Sequence, residues 1–354
     1  MLRPNVGIYV AAADAFADWT APTLTEITAA AKVFNISPAV TDGYTLNMTD
    51  SQADNSLSVV DNADVQTPTY YNYEASMDVF RDANLSATSV YNKARDLFAA
   101  PDVKYYLIKR VGKTHDAAFA AGDEISIYGV KTDFPVDIVG DGEMVRLGAR
   151  FLTTGEVKVN VAVAAGTAGS GPALASTIGT KMTSNGKIRV DWLDISDVAD
   201  EAAFLAAPDA SLIEAEAVKL TSSIAWDSYN LGSTDSNKID DRGILDEGQV
   251  QTRGFAQFDA SLMFFRDADK AASSDYNTVF NTFKAATDGS RPEGYLIVRI
   301  GVAAGTAHAA TQKVSVYKFI ADAVMDNTEG EDSVKYMVNF MPQGKLAVNV
   351  AEVA

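Results

Sequence analysis

Tyr73-Glu-Ala-Ser-Met-Asp-Val-Phe-Arg-Asp-Ala-Asn84 returns in the second half of the chain as Phe258-Asp-Ala-Ser-Leu-Met-Phe-Phe-Arg-Asp-Ala-Asp269, displaced by 185 positions. The same displacement relates Gln66-Thr67 to Gln251-Thr252 and Ser89-Val-Tyr-Asn92 to Ser274-Asp-Tyr-Asn277. A four-residue insertion within residues 287–294 then changes the displacement to 189. That value relates Tyr106-Leu-Ile-Lys-Arg-Val-Gly112 to Tyr295-Leu-Ile-Val-Arg-Ile-Gly301, and Ile125-Ser-Ile-Tyr128 to Val314-Ser-Val-Tyr317. It also relates Phe151, Gly155 and Val159-Asn-Val161 to Phe340, Gly344 and Val348-Asn-Val350. Blocks in one order on two adjacent diagonals mean a duplicated domain. The copies run over residues 1–165 and 185–354, and residues 166–184 form a Gly/Ala/Ser-rich linker with the composition of a flexible connector.

The 354 residues include no Cys and only 2 His, which excludes a disulfide framework, a thiol nucleophile and thiolate metal sites, and leaves little for His-based chemistry. Lys and Arg number 29 against 47 Asp and Glu, a net charge of −18. Residues 1–165 contribute −8 and the remainder −10, so both halves are acidic. Such a surface does not replace counterions on DNA or on an anionic membrane, and touches nucleic acid only by repelling it. The apolar stretch at residues 6–13 is cut off by Asp14 and Asp18 and reads as folded chain rather than a secretory signal. No window reaches the ~20 apolar residues of a membrane span.

Within each copy the apolar period is mostly two. Ala75, Met77 and Val79 alternate with Glu74, Ser76 and Asp78; Ala260, Leu262 and Phe264 alternate with Asp259 and Ser261. Residues 105–111 and 124–130 read as strands joined by a Gly/Ala-rich loop. Residues 144–152 and 156–163 read as a hairpin around Thr153-Thr-Gly155, echoed by Pro342-Gln-Gly344. Val157, Val159, Val161 and Val163 give its second strand a half-buried face. One helix is expected per copy, capped by Ser86 or Ser89 and carrying Val90, Tyr91, Ala94, Leu97 and Phe98, with Tyr276, Val279, Phe280 and Phe283 as counterparts. Residues 200–205 suggest a further short helix. The fold class is mainly β: two tandem copies of a β-sandwich or half-barrel of seven or eight strands, each with one α-helix.

Residues 42–66 and 222–249 are long, polar and poor in anchors, the mark of a projecting hairpin or arm. Their candidate contact residues are Asp50, Ser51, Asp54, Asn55 and Asp61 in the first copy and Asp235, Asn237 and Asp240 in the second. The repeated Phe-Arg-Asp-Ala reads as a structural corner in which Arg81 pairs with Asp82, and Arg266 with Asp267, at the approach to a helix. His115 and His308 do not align and lack a triad-like partner, so both read as structural. Asp137-Ile-Val-Gly-Asp-Gly-Glu143 and Asp326-Asn-Thr-Glu-Gly-Glu-Asp332 lack calcium-loop spacing and read as solvated turns. Gly166-Thr-Ala-Gly-Ser-Gly171 lacks the Lys of a phosphate loop. No catalytic, metal or cofactor constellation emerges, and an enzyme is not expected.

The strand order, the polar arm ahead of the Tyr73–Phe80 repeat block, the helix after Phe-Arg-Asp-Ala and the terminal Gly-Glu-Val-Lys-Val-Asn-Val strand resemble the major tail tube subunits of long-tailed bacteriophages. The resemblance implies a non-enzymatic virion protein, assembled in the host cytoplasm, whose sheets close rings that stack into the tail tube. It implies an arm that reaches the adjoining ring, and a duplicated variant in which three chains make one pseudo-sixfold ring. A tape-measure protein, a tail terminator and genomic DNA passing without specific binding are the implied partners, with no membrane. Glu74, Ser76, Asp78, Asp259 and Ser261 are the candidate lumen-lining residues, on the polar faces of their strands. The second reading is a two-domain β-rich binding, adhesion or virion decoration protein that forms no tubes and uses an aromatic cluster of Tyr70, Tyr71 and Tyr73.

Overall fold

Strand β1, Val6–Ala12, is apolar almost throughout because it is buried on both faces of its sheet. Ile8 and Val10 enter one core; Tyr9 and Ala11 enter another on the opposite side. The computed structural model describes residues 5–55, 66–140, 142–174, 177–226, 229–240, 249–267, 269, 273–284, 291–327 and 334–354. By contacts the chain forms two units. Unit 1 comprises Met1–Ile138, Arg146–Lys181 and Asp235–Gly254; unit 2 comprises Val139–Val145, Met182–Thr234 and Phe255–Ala354.

After β1 the first copy continues with α1 (Leu24–Ile27), β2 (Val33–Asn35), β3 (Thr45–Asn55), β4 (Gln66–Phe80), α2 (Val90–Phe98), β5 (Lys104–Val111), β6 (Glu124–Thr132), β7 (Val136–Ile138) and β8 (Arg146–Ala162). These strands make one eight-stranded antiparallel sheet in the order β2-β1-β5-β6-β8-β4-β3, with β7 on β8. The sheet curls. Lys109 Nζ on β5 reaches the Leu46 carbonyl on β3 at 2.6 Å although three strands separate them in the order. The enclosed side holds α2 with Leu46, Tyr73, Met77, Val79, Leu107, Val130 and Phe151.

The second copy runs β9 (Ile188–Asp194), α3 (Glu201–Ala206), α4 (Ala210–Glu216), β10 (Val218–Lys219), β11 (Asn230–Thr234), β12 (Lys238–Asp240), β13 (Gln251–Arg253), β14 (Gln257–Phe265), α5 (Asp275–Phe283), β15 (Glu293–Ile300), β16 (Lys313–Ala321), β17 (Met325–Asn327) and β18 (Lys335–Ala351). Its eight-stranded sheet has the order β10-β9-β15-β16-β18-β14-β11, with β17 on β18, which matches the first strand for strand. One face is covered by α3 and α4 through Phe204 and Ile213, and the other is aromatic, built on Trp192, Phe264, Phe283 and Phe340. Helices α2 and α5 are the expected ones. Helices α1 and α4 occupy one equivalent place, since Thr23 bridges to Ala164 as Asp209 bridges to Val353, and α3 is an addition of the second copy.

The repeated motifs have local physical causes. Ser89 and Ser274 cap their helices by accepting from Asn92 N and Asn277 N, and each Asn side chain turns back to the carbonyl of Asn84 or Asp269 at 2.8 Å. The buried Arg110 donates to the Thr114 and Ala117 carbonyls, and Arg299 to those of Thr306 and Ala307, so each Arg organises its Gly/Ala loop. The expected hairpin at Thr153-Thr-Gly155 is instead a bulge inside one 17-residue strand. β8 runs on along β6 through two register shifts, with Gly155 (φ 78°) in the first and Asn160 (φ 52°) in the second. Gly344 (φ 70°) and Asn349 (φ 57°) repeat them in β18. Gly and Asn are the residues that enter this left-handed region readily, which is why both recur. The second bulge interrupts the valine alternation and leaves Val159 exposed. Ser126 and Ser315 accept from the displaced N–H of Asn160 and Asn349 at 3.3 and 3.2 Å.

The Gly-rich run at 166–181 lies along unit 1 rather than as a loose tether. Ala173 exchanges bonds with Val33 and Asn35 at 2.8 and 2.9 Å, and the Thr177 carbonyl accepts from Val90 N at 3.0 Å. A Cβ on Gly169 would stand 2.8 Å from the Thr28 carbonyl, so close approach selects glycine here.

Replacing Asn160 by Val forces a β-branched residue into the left-handed bulge and is expected to cost about 1–2 kcal/mol, while Asn160→Gly stays within a few tenths. Denaturant unfolding of the two variants reads the difference.

Candidate assembly interface

The second copy's polar segment leaves its sheet at the end of β11, and Asp235–Gly254 belongs to unit 1. Its described part is a small ribbon in which β12 pairs with β13, closed by Gly254 N donating to the Asn237 carbonyl. The ribbon meets β4, β8 and the Asp133-Phe134 segment that follows β6. Ser236 Oγ donates to Asp133 Oδ1 at 2.7 Å, and Ser236 N donates to Asp133 Oδ2 at 3.2 Å. Arg150 Nε faces Asp235 at 3.2 Å, Lys238 Nζ reaches the Phe151 carbonyl at 3.3 Å, and Arg253 pairs with Asp102 at 2.6 Å over the Phe134 ring. On the return strand, Val250 bridges to Thr154 and Gln249 N donates to the Tyr71 carbonyl at 3.2 Å.

These contacts differ in weight. Asp133 is 1% and Ser236 4% exposed, so their charge-assisted bonds are worth about 1.5–3 kcal/mol. Asp235 and Asp102 are more than half exposed, and such ion pairs are worth about 0.2–1 kcal/mol. Asp133 is the anchor.

Residues that the sequence suggests for two separate roles meet on this face. A polar cavity of about 540 Å³ is lined by Glu74, Ser76 and Asp78 from β4, Arg150 from β8, and Asp235, Lys238, Gln249 and Gln251 from the arm. Asp78 lies 3.2 Å from Arg150 and 4.0 Å from Arg146, so its charge is locally compensated, whereas Glu74 is exposed. In unit 2, Asp259 is exposed and Ser261 donates to Asn339 at 3.1 Å. Asp50 is exposed on β3; Ser51, Asp54 and Asn55 lie in the same strand, paired in backbone with β4; Asp61 lies outside the described residues. The Asn237 carbonyl closes the ribbon, and Asp240 accepts from Gln249 at 3.1 Å.

In the first copy the Phe-Arg-Asp-Ala corner is built differently from the expected pair. Arg81 binds Asp137 at 2.9 Å, which places the first of the acidic turns in an ion pair. Asp82 accepts from the backbone of Asn84 and Thr180, and Asp267 from Asp269 N and the Ser274 hydroxyl. Arg266 lies over the Phe280 ring. Arg81 and Asp82 thus take separate partners just past the end of β4. The other acidic turn falls mostly on residues outside those described. Tyr73 is 1% exposed in the core and does not join Tyr71 at the surface, so the aromatic cluster of the binding-module reading does not form; the Tyr70 side chain lies outside the described residues.

Sequence reasoning missed Asp133, Ser236 and the partners of His308. A signal for the arm exists: Thr49-Asp50-Ser51 and Val65-Gln66-Thr67 repeat as Thr234-Asp235-Ser236 and Val250-Gln251-Thr252. His308 sits between two carboxylates, Glu352 at Nδ1 and Asp191 at Nε2, beside Arg189 and Arg299. Both ring nitrogens are therefore occupied, which makes the residue structural. Burial disfavours its charge, but the hydrogen bonds to Asp191 and Glu352 outweigh that and raise its pKa above 6.5. Among the described residues, no helix is long and apolar enough to cross a membrane.

The chain thus holds two copies of one eight-stranded antiparallel sheet, and in unit 1 a polar arm seats on a buried carboxylate. The chain belongs to the phage tail tube protein family, whose model matches residues 1–166 and 176–354. It is thus a structural component of the phage virion tail that self-assembles into a tube, and its duplication is the two-domain form of that family. No curated protein matches the chain.

Ser236→Ala removes the shortest of the three donors to the buried Asp133 carboxylate and is expected to raise hydrogen exchange across Asp235–Gly254 roughly tenfold. Asp235→Ala, which removes a half-exposed pair, is expected to change exchange less than about fivefold. For His308, a raised folded-state pKa gives stability that is complete below 6.5 and lost as pH rises through the folded value. Thermal melts of His308→Gln are expected to lose that slope while the parent keeps it.

Proposed function

We propose that three chains close one ring of six sheet domains and that such rings stack into a conduit for phage DNA. The observation that carries this reading is the strand-for-strand identity of the two sheets, which lets two halves of one chain take equivalent places around an axis. Closing the ring pairs the exposed edges β3 and β11 with neighbouring sheets, so no edge is left to aggregate. Assembly takes place in the host cytoplasm, on a tape-measure protein that sets length and beneath a terminator that ends growth. The protein has no catalytic role; its work is transport.

Transport follows from charge. DNA carries one negative charge per ~1.7 Å of helix axis, and a basic lumen would hold it at each step. An acidic wall repels the phosphates and lets the duplex slide. Both halves have the required sign. Glu74 and Asp259 occupy equivalent positions at the 185 displacement, and both are exposed, which supports them as the lumen carboxylates. Asp78, compensated by Arg150, contributes less. Ser76 and Ser261 complete the polar lining.

Negative-stain microscopy of the purified chain is expected to show hollow rods with six-lobed end views; monomers or free trimers alone would favour the decoration-protein reading. Virions carrying Glu74→Lys with Asp259→Lys are expected to have intact tubes and slower DNA ejection. Intact tubes with unchanged ejection kinetics would remove these residues from the lumen, and loss of tubes would assign them to a contact between subunits.

A further inference from the structure

Unit 2 carries a second version of the arm-binding groove. In unit 1, Asp133 N donates to the Arg150 carbonyl at 2.9 Å, and the Asp133 side chain accepts from Phe134 N at 2.8 Å. In unit 2, Asp322 N donates to the Asn339 carbonyl at 2.8 Å, and the Asp322 side chain accepts from Ala323 N at 2.7 Å. The 189 displacement relates each of these residues to its counterpart. The carboxylate is thus aimed by the same backbone frame in both units. Asp133 is buried under Ser236, whereas Asp322 is 38% exposed and, among the described residues, pairs with the half-exposed Arg291 at 3.0 Å besides its frame.

The neighbouring space agrees. A cavity of about 520 Å³ in unit 2 is lined by Thr234, Gln257, Phe258, Asp259, Pro342 and Gly344. Thr49, Asn72, Tyr73, Glu74 and Thr153, the counterparts of five of these, line the unit 1 cavity together with four arm residues. Among the described residues that line the unit 2 cavity, Thr234, at the root of its own arm, is the one nearest an arm. Phe255, 85% exposed, stands next to it in the chain.

One segment of the chain has the chemistry to fill this groove. Thr49-Asp50-Ser51 repeats the Thr234-Asp235-Ser236 that seats on Asp133, and a register shift between Thr49 and Gln52 breaks β3 at that place. We propose that the Asp322 groove of unit 2 receives the Thr49-Asp50-Ser51 arm of a second copy of this chain, with Ser51 on Asp322 and Asp50 beside Asn339. The contact reproduces between molecules the one that Ser236 and Asp133 make within a molecule. It is head-to-tail, so each chain offers one arm and one groove, and the series either closes into a ring or continues as a filament. The inference rests on the tube reading only for the supply of many copies.

The chain has no cysteine, which makes disulfide trapping clean. The variant Ser236→Cys with Asp133→Cys calibrates the geometry and is expected to cross-link within one chain. Ser51→Cys with Asp322→Cys is expected to give a ladder of covalent multimers on non-reducing gels. Mixing the two single variants is expected to give a covalent dimer at least tenfold above either alone. Monomer-only product from the double variant, while the calibration pair closes, would overturn the proposal. Microscopy of the same samples separates the two readings: rods without the ladder sink the groove assignment alone, a ladder without rods sinks the tube alone, and neither sinks both.

Discussion

Each unit depends on one strand that has to serve two neighbours. β8 pairs with β4 along its first part and with β6 along most of its length, and β18 does the same with β14 and β16. A regular strand of 17 residues would hold these partners in a flat array. The bulges at Gly155 and Asn160, and at Gly344 and Asn349, insert extra residues and increase the twist, so the sheet closes on its helix. Tyr73 secures the first bulge in unit 1, where its hydroxyl donates to the Gly129 carbonyl and accepts from Thr154 N at 2.9 Å. Phe258 stands at the corresponding place in unit 2 and packs on Tyr317 and Phe319, as Tyr73 packs on Tyr128. The aromatic contact is common to both copies, and the first adds the tyrosine's hydrogen bonds to it.

The parts of this architecture that were legible in the sequence are those governed by local periodicity. Ala75, Met77 and Val79 face the core as their alternation requires, and Val90, Ala94 and Phe98 line the buried side of a helix. The misreading of Thr153-Thr-Gly155 has a physical origin. A glycine at positive φ serves a hairpin turn and a bulge alike, and only the partner strand distinguishes them. Arg81 and Asp82 misled because neighbours in the chain need not pair in the fold: Arg81 finds Asp137, 56 residues on, while Asp82 turns to backbone N–H groups.

What could not be read were pairings across long separations. Asp133 and Ser236 lie 103 residues apart, and His308 lies 117 from Asp191. Neither pairing leaves a period or spacing in the chain. Their energetic consequence is large because the groups are buried: a carboxylate removed from water is tolerated only when donors replace the water. The arm is therefore held less by its many charges than by a single serine. Surface ion pairs such as Arg150 with Asp235 orient the ribbon, while the buried bond decides whether it stays.

The membership of Asp235–Gly254 in unit 1 also bears on how the protein is made. During synthesis the first sheet is covalently complete once residue 165 has left the ribosome, yet Asp133 must wait for a serine translated 71 codons later. Until then the Asp133 carboxylate of the nascent half lacks the two Ser236 donors that cover it in the finished chain. The two halves of the gene are thereby coupled in time: the earlier one matures only when the later one has begun to emerge.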